Sequence, residues 1–187
     1  VINQPINSQS SWRCEGNLDF FFTQNNIAGI TNIDTRQLTR LLATKGAMKA
    51  AIVNFGKKLN NIEIIKDEIN KWDGLKNLDL AKIVSTQSKY DWTEGIWNSN
   101  DNNYSSNESE KQYKIVCLDF GIKRNILRYL HYNNFDTVVL NAESSYEKIM
   151  SINPDGIFLS NGPGDPFATG KYAVPTIKKL IKTRIPI

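Results

Sequence analysis

The sequence predicts an α/β protein in two parts: an N-terminal mixed α/β domain over residues 1–97 and the first half of a parallel-sheet, flavodoxin-like domain over residues 113–187. Beyond residue 112, apolar runs rich in β-branched side chains alternate with amphipathic helical segments, the pattern of a parallel sheet covered by helices. Residues 98–112 are rich in Asn, Ser and Asp, which is typical of a linker. The apolar run 157–159 stops at Ser-Asn-Gly-Pro-Gly-Asp-Pro, and open α/β sheets place ligands where such strands end.

The composition is that of an ordinary globular protein, with 40% hydrophobic and 22% charged residues among 187. The net charge of +4 comes from scattered lysines without an arginine-rich stripe, so we expect no nucleic-acid partner. No apolar run is long enough to span a membrane. Cys14 and Cys117 are too few and too far apart for a disulfide framework or a zinc site, so we expect no metal and a reducing, cytoplasmic setting.

The N-terminal part alternates helical segments with short apolar segments. Asp34 or Thr35 is placed to cap one helix, with Gln37 as the capping-box partner and Gly46 as a suitable stop. The expected helices are 17–26, 34–46 and 61–72, and the expected strands are 27–33 and 47–54. Residues 78–85 fit either a helix or a strand.

The C-terminal part has a clearer strand–helix alternation, which predicts a right-handed parallel sheet. The expected strands are 113–119, 137–140 and 156–160, and the expected helices are 122–134, 144–151 and 170–183. A fourth strand is expected from residue 185. Because a natural domain seldom ends inside a core strand, we expect the sequence to be a fragment.

Three aromatic side chains precede the linker in irregular sequence. Tyr90, Trp92 and Trp97 are interpreted as the cover of a core edge rather than a site for a sugar or nucleotide.

The Gly/Pro bend after the third expected strand is the candidate site. Glycine tolerates a positive φ and leaves its main-chain N–H uncovered, whereas Pro163 has no N–H. Any amide directed at a ligand therefore comes from Gly162, Gly164 or Asp165, with Asn161 and Asp165 expected to brace the bend. A tight turn without a ligand is the alternative. No phosphate-loop motif is present, so no ATP and no other cofactor is expected on this chain.

These motifs resemble the small subunit of carbamoyl-phosphate synthase, which belongs to the triad-type glutamine amidotransferases. The matching stretches lie in both parts of the chain, in the order that the family has. They are 33–40 with 45–48 and 79–82 with 90–92 in the N-terminal part, and 119–128 and 159–166 in the glutaminase part. The resemblance assigns 113–187 to the N-terminal part of a glutamine amidotransferase domain and 1–97 to a small-subunit domain whose start is missing.

The resemblance implies an enzyme in which a Cys thiolate attacks the amide of L-glutamine, with a His as acid and base and a Glu or Asp that orients the His. The released ammonia would pass to a large subunit, which would carry ATP and Mg²⁺ and make carbamoyl phosphate from bicarbonate for arginine and pyrimidine synthesis. Gly162 and Gly164 match the glutamine-binding turn. The catalytic Cys, His and Glu are expected beyond Ile187, so no catalytic residue is assigned here and the 187-residue chain is expected to be inactive alone.

The cysteines and the histidine within the chain match no catalytic position of the family. His131 is expected to be a surface or boundary side chain, and Cys117 a small buried one. Lys123 and Arg124 fit the substrate carboxylate, a domain interface or plain solvent exposure. Two alternative functions are a non-catalytic flavodoxin-like binding module and the glutaminase of another amidotransferase.

Overall fold

The chain forms two compact units, residues 1–74 and residues 75–187. The computed structural model describes residues 1–6, 9–53, 61–106 and 110–187. Residues 75–97 thus lie in the second unit, although the sequence analysis grouped them with the N-terminal domain. The reason is that residues 90–92 pair with a strand of the C-terminal sheet.

The described residues of the first unit form three helices, each of which begins after a residue whose side chain caps it. They are α1 (Leu18–Gln24), α2 (Thr35–Lys45) and α3 (Ile62–Lys71). Their caps are Asn17, Asp34 and Asn61, whose side chains accept hydrogen bonds from main-chain N–H groups of the first turn. Helix α2 is followed by Gly46, as predicted, and its φ of 78° is one that glycine adopts without steric cost. All three predicted helices are confirmed.

The two segments predicted as strands in the first unit form no strand among the described residues. They are 27–33 and 47–53, with residue 54 outside the described part. Ile2 N–H donates to Ile30 O at 2.9 Å, and Ile33 N–H donates to Ile2 O at 3.4 Å. Asn32 lies between these two bonds at a φ of 61°, which turns the chain and prevents a regular ladder.

The second unit is an α/β sheet with helices on both faces. Its elements are α4 (Leu80–Val84), β1 (Tyr90–Trp92), β2 (Trp97–Asn98), β3 (Asn103–Tyr104), β4 (Tyr113–Asp119), α5 (Arg124–Tyr132), β5 (Phe135–Asn141), α6 (Tyr146–Met150), β6 (Gly156–Leu159) and α7 (Pro166–Ile181). The main sheet has the order β1-β5-β4-β6, with β5, β4 and β6 parallel and β1 antiparallel at one edge. The α/β class and the parallel core are as predicted.

Side chains that alternate along β4 bury opposite faces of the sheet. Val116 and Leu118 pack in a cluster that includes residues of α6 and α7. Cys117 packs with Leu127 of α5, next to Tyr90 and Trp92 of β1. The aromatic pair therefore covers a core edge, as the sequence indicated.

Part of the predicted linker is ordered as a small ribbon. Strands β2 and β3 pair antiparallel, and Asn102 makes the turn between them at a φ of 49°. The rings of Trp97 and Tyr104 meet edge to face with centroids 5.1 Å apart. Local polar composition indicated a solvated linker, but the two aromatic rings provide a contact that the composition does not reveal.

In three further segments the structure either differs from the sequence prediction or decides a point that the prediction left open. Residues 80–84 are helical, with Asp79 as the cap of α4. Helix α7 begins at Pro166 rather than at residue 170, because Asp165 caps it and proline suits the first helical position. The predicted fourth strand is represented by one bond, from Ile157 N–H to Pro186 O at 2.9 Å. No helix in the described parts of the chain is both long and apolar enough to cross a membrane.

Candidate functional site

The candidate site lies where the strand order reverses. From β4 the chain crosses first to β5 on one side of β4 and then to β6 on the other. The carboxyl ends of β4 and β6 therefore border the crevice in which open α/β sheets bind ligands. The loops that follow these two strands, residues 119–123 and 160–165, meet at this crevice, and the glycine bend is one of them.

Gly162 is required by the closeness of the two loops. A Cβ atom at this position would overlap the carbonyl oxygen of Phe120. The Phe120 N–H donates to Ser160 Oγ at 2.9 Å, which ties the loops together from the other side. Gly121, at a φ of 120°, would bring a Cβ within 3.0 Å of Pro163 Cδ. No larger residue fits at Gly162 without separating the loops.

Gly164 is required by a different neighbour and by its own backbone conformation. Its φ is 89°, a region that L side chains rarely adopt. A Cβ would also lie 2.6 Å from Leu78 O and 2.8 Å from Leu80 N, at the start of α4. The two glycines thus contact two different parts of the unit, the loop after β4 and the segment that leads into α4.

The two predicted glycines present main-chain N–H groups that no atom of the described residues accepts. The third candidate amide, that of Asp165, donates to Leu78 O at 2.9 Å and is not available to a ligand. Asn161, Gly162 and Pro163 are exposed. Uncommitted amides two positions apart in one loop suit an oxyanion or a carboxylate.

The predicted bracing side chains are confirmed. Asn161 Nδ2 donates to Gly121 O at 3.3 Å. Asp165 accepts from Phe167 N–H at 2.9 Å through Oδ1 and from Asn77 N–H at 2.8 Å through Oδ2. The hydrogen bond from Asn77, and then that from Phe167, lower the pKa of Asp165 below its ordinary value. Its carboxylate therefore stays charged while it holds the bend.

Asp119 at the end of β4 is a site-supporting residue that the sequence analysis missed. The side chain is 6% exposed. Its Oδ1 accepts from Gly121 N–H at 2.9 Å and from Ile122 N–H at 2.8 Å, and its Oδ2 accepts from Thr86 N–H at 2.8 Å. These bonds fix the first loop of the crevice. The available signal was the position of a carboxylate directly after a buried strand and before Phe-Gly.

Asp79 is a second residue that the sequence analysis did not assign to the site. Its Oδ1 accepts from Lys82 N–H at 3.1 Å, as the cap of α4, and from Thr169 Oγ1 at 3.1 Å and Tyr172 Oη at 3.3 Å, both on α7. Burial and then the nearby Asp79 charge raise the pKa of Tyr172. The capping pattern was readable from the sequence, but the contact with α7 was not.

Cavities lie on both sides of the bend, and Pro163 lines both. One, of about 360 Å³, lies between the bend and the first turns of α7, with Phe120 and Leu159 in its wall. The other, of about 640 Å³, is lined on the α5 side by Asp119 and Arg124 among others. Lys123 and Arg124 are both exposed at the start of α5.

The two cysteines and the histidine lie in different environments. Cys117 is fully buried, as predicted, and burial raises the pKa of its thiol to about 12. Cys14 is exposed, and its Sγ donates to Gly16 O at 2.9 Å. The prediction for His131 is wrong: the side chain is only 4% exposed, because the face of α5 that carries it packs toward β1.

Two families of known proteins match the two ends of the chain. The family "Carbamoyl-phosphate synthase small chain, CPSase domain" matches residues 1–52. The family "Glutamine amidotransferase class-I" matches residues 116–187, which include both loops of the crevice.

Individual relatives match the chain over its whole length. The carbamoyl phosphate synthase small chain of Rhizobium meliloti (strain 1021) is 40% identical over 187 residues, which are 100% of this chain and 47% of the relative. That of Zymomonas mobilis subsp. mobilis is 41% identical over 186 residues, 100% of this chain and 48% of the relative. That of Brucella anthropi is 42% identical over 187 residues, 100% of this chain and 46% of the relative. The chain spans about half the length of these relatives. With the small-chain domain match at one end, the amidotransferase match at the other and about 40% identity along its whole length, it is similar to carbamoyl-phosphate synthase small chains.

Proposed function

We propose that this chain is the part of a carbamoyl-phosphate synthase small subunit that binds L-glutamine and provides one half of the oxyanion site for its hydrolysis. The observation that carries the proposal is the pair of uncommitted amides, at Gly162 and Gly164, in the crevice between β4 and β6. The amidotransferase match covers this crevice, and the small-chain match at residues 1–52 favours this enzyme over other amidotransferases.

The chemistry assigns a defined role to these amides. Attack of a thiolate on the side-chain amide carbon of glutamine forms a carbon–sulfur bond and moves negative charge onto the carbonyl oxygen. An N–H fixed by Gly162 or Gly164 stabilises that oxygen, and loss of one such donor costs about 3 kcal/mol of barrier. Collapse of the intermediate then expels ammonia, with a proton supplied by the His of the triad.

The attacking Cys is proposed to come from residues after Ile187. Pro186 lies beside Ile157 of β6, and a strand reached through the α7 crossover runs parallel to β6. A continuation in this direction passes the level of the bend, which begins three residues after Ile157. The Cys, followed by a second oxyanion amide, would then lie beside the loop that carries Gly162 and Gly164, on the side of β6 away from β4. The triad His and Glu would follow still later in the chain.

The wider assignments rest on the family resemblance and on the name "small chain" of the relatives. The ammonia would pass to a large subunit with ATP and Mg²⁺, in a heterodimeric ligase that makes carbamoyl phosphate from bicarbonate for arginine and pyrimidine synthesis. We place this enzyme in the cytoplasm, in keeping with its two unpaired cysteines.

A glutaminase assay tests the proposal. The 187-residue chain is expected to release no ammonia from glutamine above a heat-killed control, whereas the chain extended by its downstream coding sequence releases it. Gly162→Ala in the extended chain should lower kcat about 100-fold, since the amide is displaced. Gly16→Ala, with no atom within 4 Å of the added Cβ, is the matched control and should leave kcat unchanged. Ammonia release by the 187-residue chain, or a downstream sequence without a Gly-x-Cys-x-Gly turn, would contradict the proposal.

A further inference from the structure

Asp165 links the glycine bend to a segment that lies far away in the sequence. Its main-chain N–H donates to Leu78 O at 2.9 Å, and its Oδ2 accepts from Asn77 N–H at 2.8 Å. The same carboxylate caps α7 through Phe167 N–H. One residue thus closes a reciprocal pair of hydrogen bonds with residues 77–78 and begins the helix that follows the bend.

Asp79 makes the complementary link in the opposite direction. It caps α4 through Lys82 N–H and accepts from the Thr169 and Tyr172 hydroxyls of α7. Each aspartate therefore caps its own helix and binds the segment that belongs to the other. We use the name aspartate clamp for Asp79 and Asp165 together with these six hydrogen bonds, two of which cap a helix and four of which join the two segments.

The clamp acts directly on Gly164. Leu78 O accepts the hydrogen bond from Asp165 N–H, and the same oxygen would lie 2.6 Å from a Cβ at Gly164. The Leu80 main-chain nitrogen lies almost as close, at 2.8 Å from that position. Residues 78–80 thus form the surface against which Gly164 takes its φ of 89°.

The far end of α4 is bound to the sheet. Ser85 Oγ accepts from Ala142 N–H at 3.0 Å, just after β5. Thr86 N–H donates to Asp119 Oδ2 at 2.8 Å, and Thr86 O accepts from Asn141 Nδ2 at 2.8 Å. Helix α4 is therefore held by the carboxyl ends of β4 and β5 at one end and by the clamp at the other.

We propose that Asp79 and Asp165 are positioning residues, which fix the Gly162 and Gly164 amides for the reaction by holding α4 against the bend. This inference rests on the proposed function for its catalytic meaning, but the positioning itself is a property of the 187-residue chain. Neither aspartate takes a proton in the reaction or contacts the substrate. An oxyanion donor is effective only when it is fixed before charge develops, and the clamp provides that rigidity.

Two variants break the clamp without removing a helix cap. Asp165→Asn keeps one side-chain oxygen, which can still cap α7 because asparagine is as good a helix cap as aspartate. The NH₂ group that replaces the second oxygen cannot accept the hydrogen bond from Asn77 N–H. Thr169→Val combined with Tyr172→Phe removes both α7 donors to Asp79 and leaves the cap of α4 intact. Because neither cap is altered in the second variant, it keeps the test decisive if Asp165→Asn fails to fold.

The chain offers a matched control at the opposite ends of β4 and β6. Asp155 N–H donates to Lys114 O at 2.8 Å, and Asp155 Oδ2 accepts from Lys114 N–H at 2.7 Å. This reciprocal pair has the same chemistry as that of Asp165 with residues 77–78, but it lies before β6 rather than after it. Asp155→Asn therefore reproduces the lost bond without touching the bend.

Backbone ¹⁵N relaxation of the 187-residue chain measures the positioning without any assay of activity. We expect order parameters of about 0.85 for the Gly162 and Gly164 amides in the parent chain and in Asp155→Asn, and below about 0.6 in both clamp variants. Glycine amides that stay rigid in the clamp variants would overturn the proposal. Equal loosening in Asp155→Asn would overturn it as well, since the effect would then be a general loss of stability.

An activity measurement in the extended chain separates this inference from the proposed function. The clamp variants should lower kcat and kcat/KM together by about tenfold or more, with KM unchanged, because the amides act in the transition state. Asp155→Asn should retain the parent kcat. Absence of glutaminase activity in the extended parent chain would contradict the proposed function, whereas full activity in the clamp variants would contradict only the clamp.

Discussion

Gly164 and Leu78 are in van der Waals contact through their main chains, so closely that a Cβ on Gly164 would lie 2.6 Å from the Leu78 oxygen. Gly164→Ala combines this overlap with a strained φ of 89°. We expect the free energy of unfolding of residues 75–187 to fall by about 2–3 kcal/mol. Urea unfolding followed by amide signals of β4 and β5 measures the change. Gly16→Ala should change it by less than about 0.5 kcal/mol, and an equal loss in both variants would contradict the strain argument.

His131 should make the protein less stable in mild acid. Burial, and then the charge of Lys111, lower the pKa of His131 below its ordinary 6.5. The unfolded chain then binds a proton that the folded chain does not, so stability falls as the pH drops below about 6.5 and stops falling once the folded-state pKa is passed. Above that window the residue has no effect on the pH dependence.

Comparison with His131→Gln isolates this effect, because His131 is the only histidine in the chain. The parent chain should lose more stability than His131→Gln between about pH 7.5 and pH 5.5, the range in which an ordinary histidine titrates. The measurement is the urea midpoint at each pH. Parallel curves for the two proteins would show that His131 has an ordinary pKa.

Arg128 should hold the β2–β3 ribbon on α5. Its Nε donates to Glu94 Oε1 at 2.5 Å, and its guanidinium lies 3.7 Å from the centroid of the Tyr104 ring. The side chain is only 14% exposed, so both contacts are partly shielded from water. Arg128→Met should lower the free energy of unfolding by about 1–2 kcal/mol and make residues 98–106 more sensitive to protease.

An exposed ion pair in the same unit provides the control for Arg128. Lys179 Nζ lies 3.3 Å from Glu147 Oε1, with both side chains more than half exposed. Lys179→Met should change stability by less than about 0.5 kcal/mol, since exposed pairs contribute little. Equal effects of the two substitutions would mean that burial of Arg128 does not strengthen its contacts.

The two cysteines should differ sharply in reactivity. The Cys117 thiol is fully buried and its pKa is raised to about 12, so it is protonated and shielded at neutral pH. Cys14 is exposed. An aromatic disulfide reagent should therefore titrate one thiol in the native chain and two after unfolding. In Cys14→Ser no thiol should react before unfolding, and rapid modification of Cys117 would show that its strand opens.

Local sequence patterns were sufficient for the elements whose causes lie within a few residues. Asp34 caps α2 as predicted, and Ser145 caps α6. Strand β4 has the bounds that its β-branched run indicated. The Gly162–Gly164 bend follows a buried strand, where its sequence placed it. Capping, side-chain periodicity and the conformational freedom of glycine act over short distances, so one sequence displays them.

The tertiary structure alone decided which distant residues complete the site. Asn77 and Asp165 are 88 positions apart, and nothing in either local sequence indicates their hydrogen bond. The same holds for the pairing of β1 with β5, which brings residues 75–97 into the second unit, and for the burial of His131. The sequence by itself determined the two glycines, their bend and the family resemblance. Long-range packing alone determined that the Asp165 N–H is already hydrogen-bonded. It also determined that α4 supports the amides of the two glycines, because these contacts join segments that are distant in the sequence.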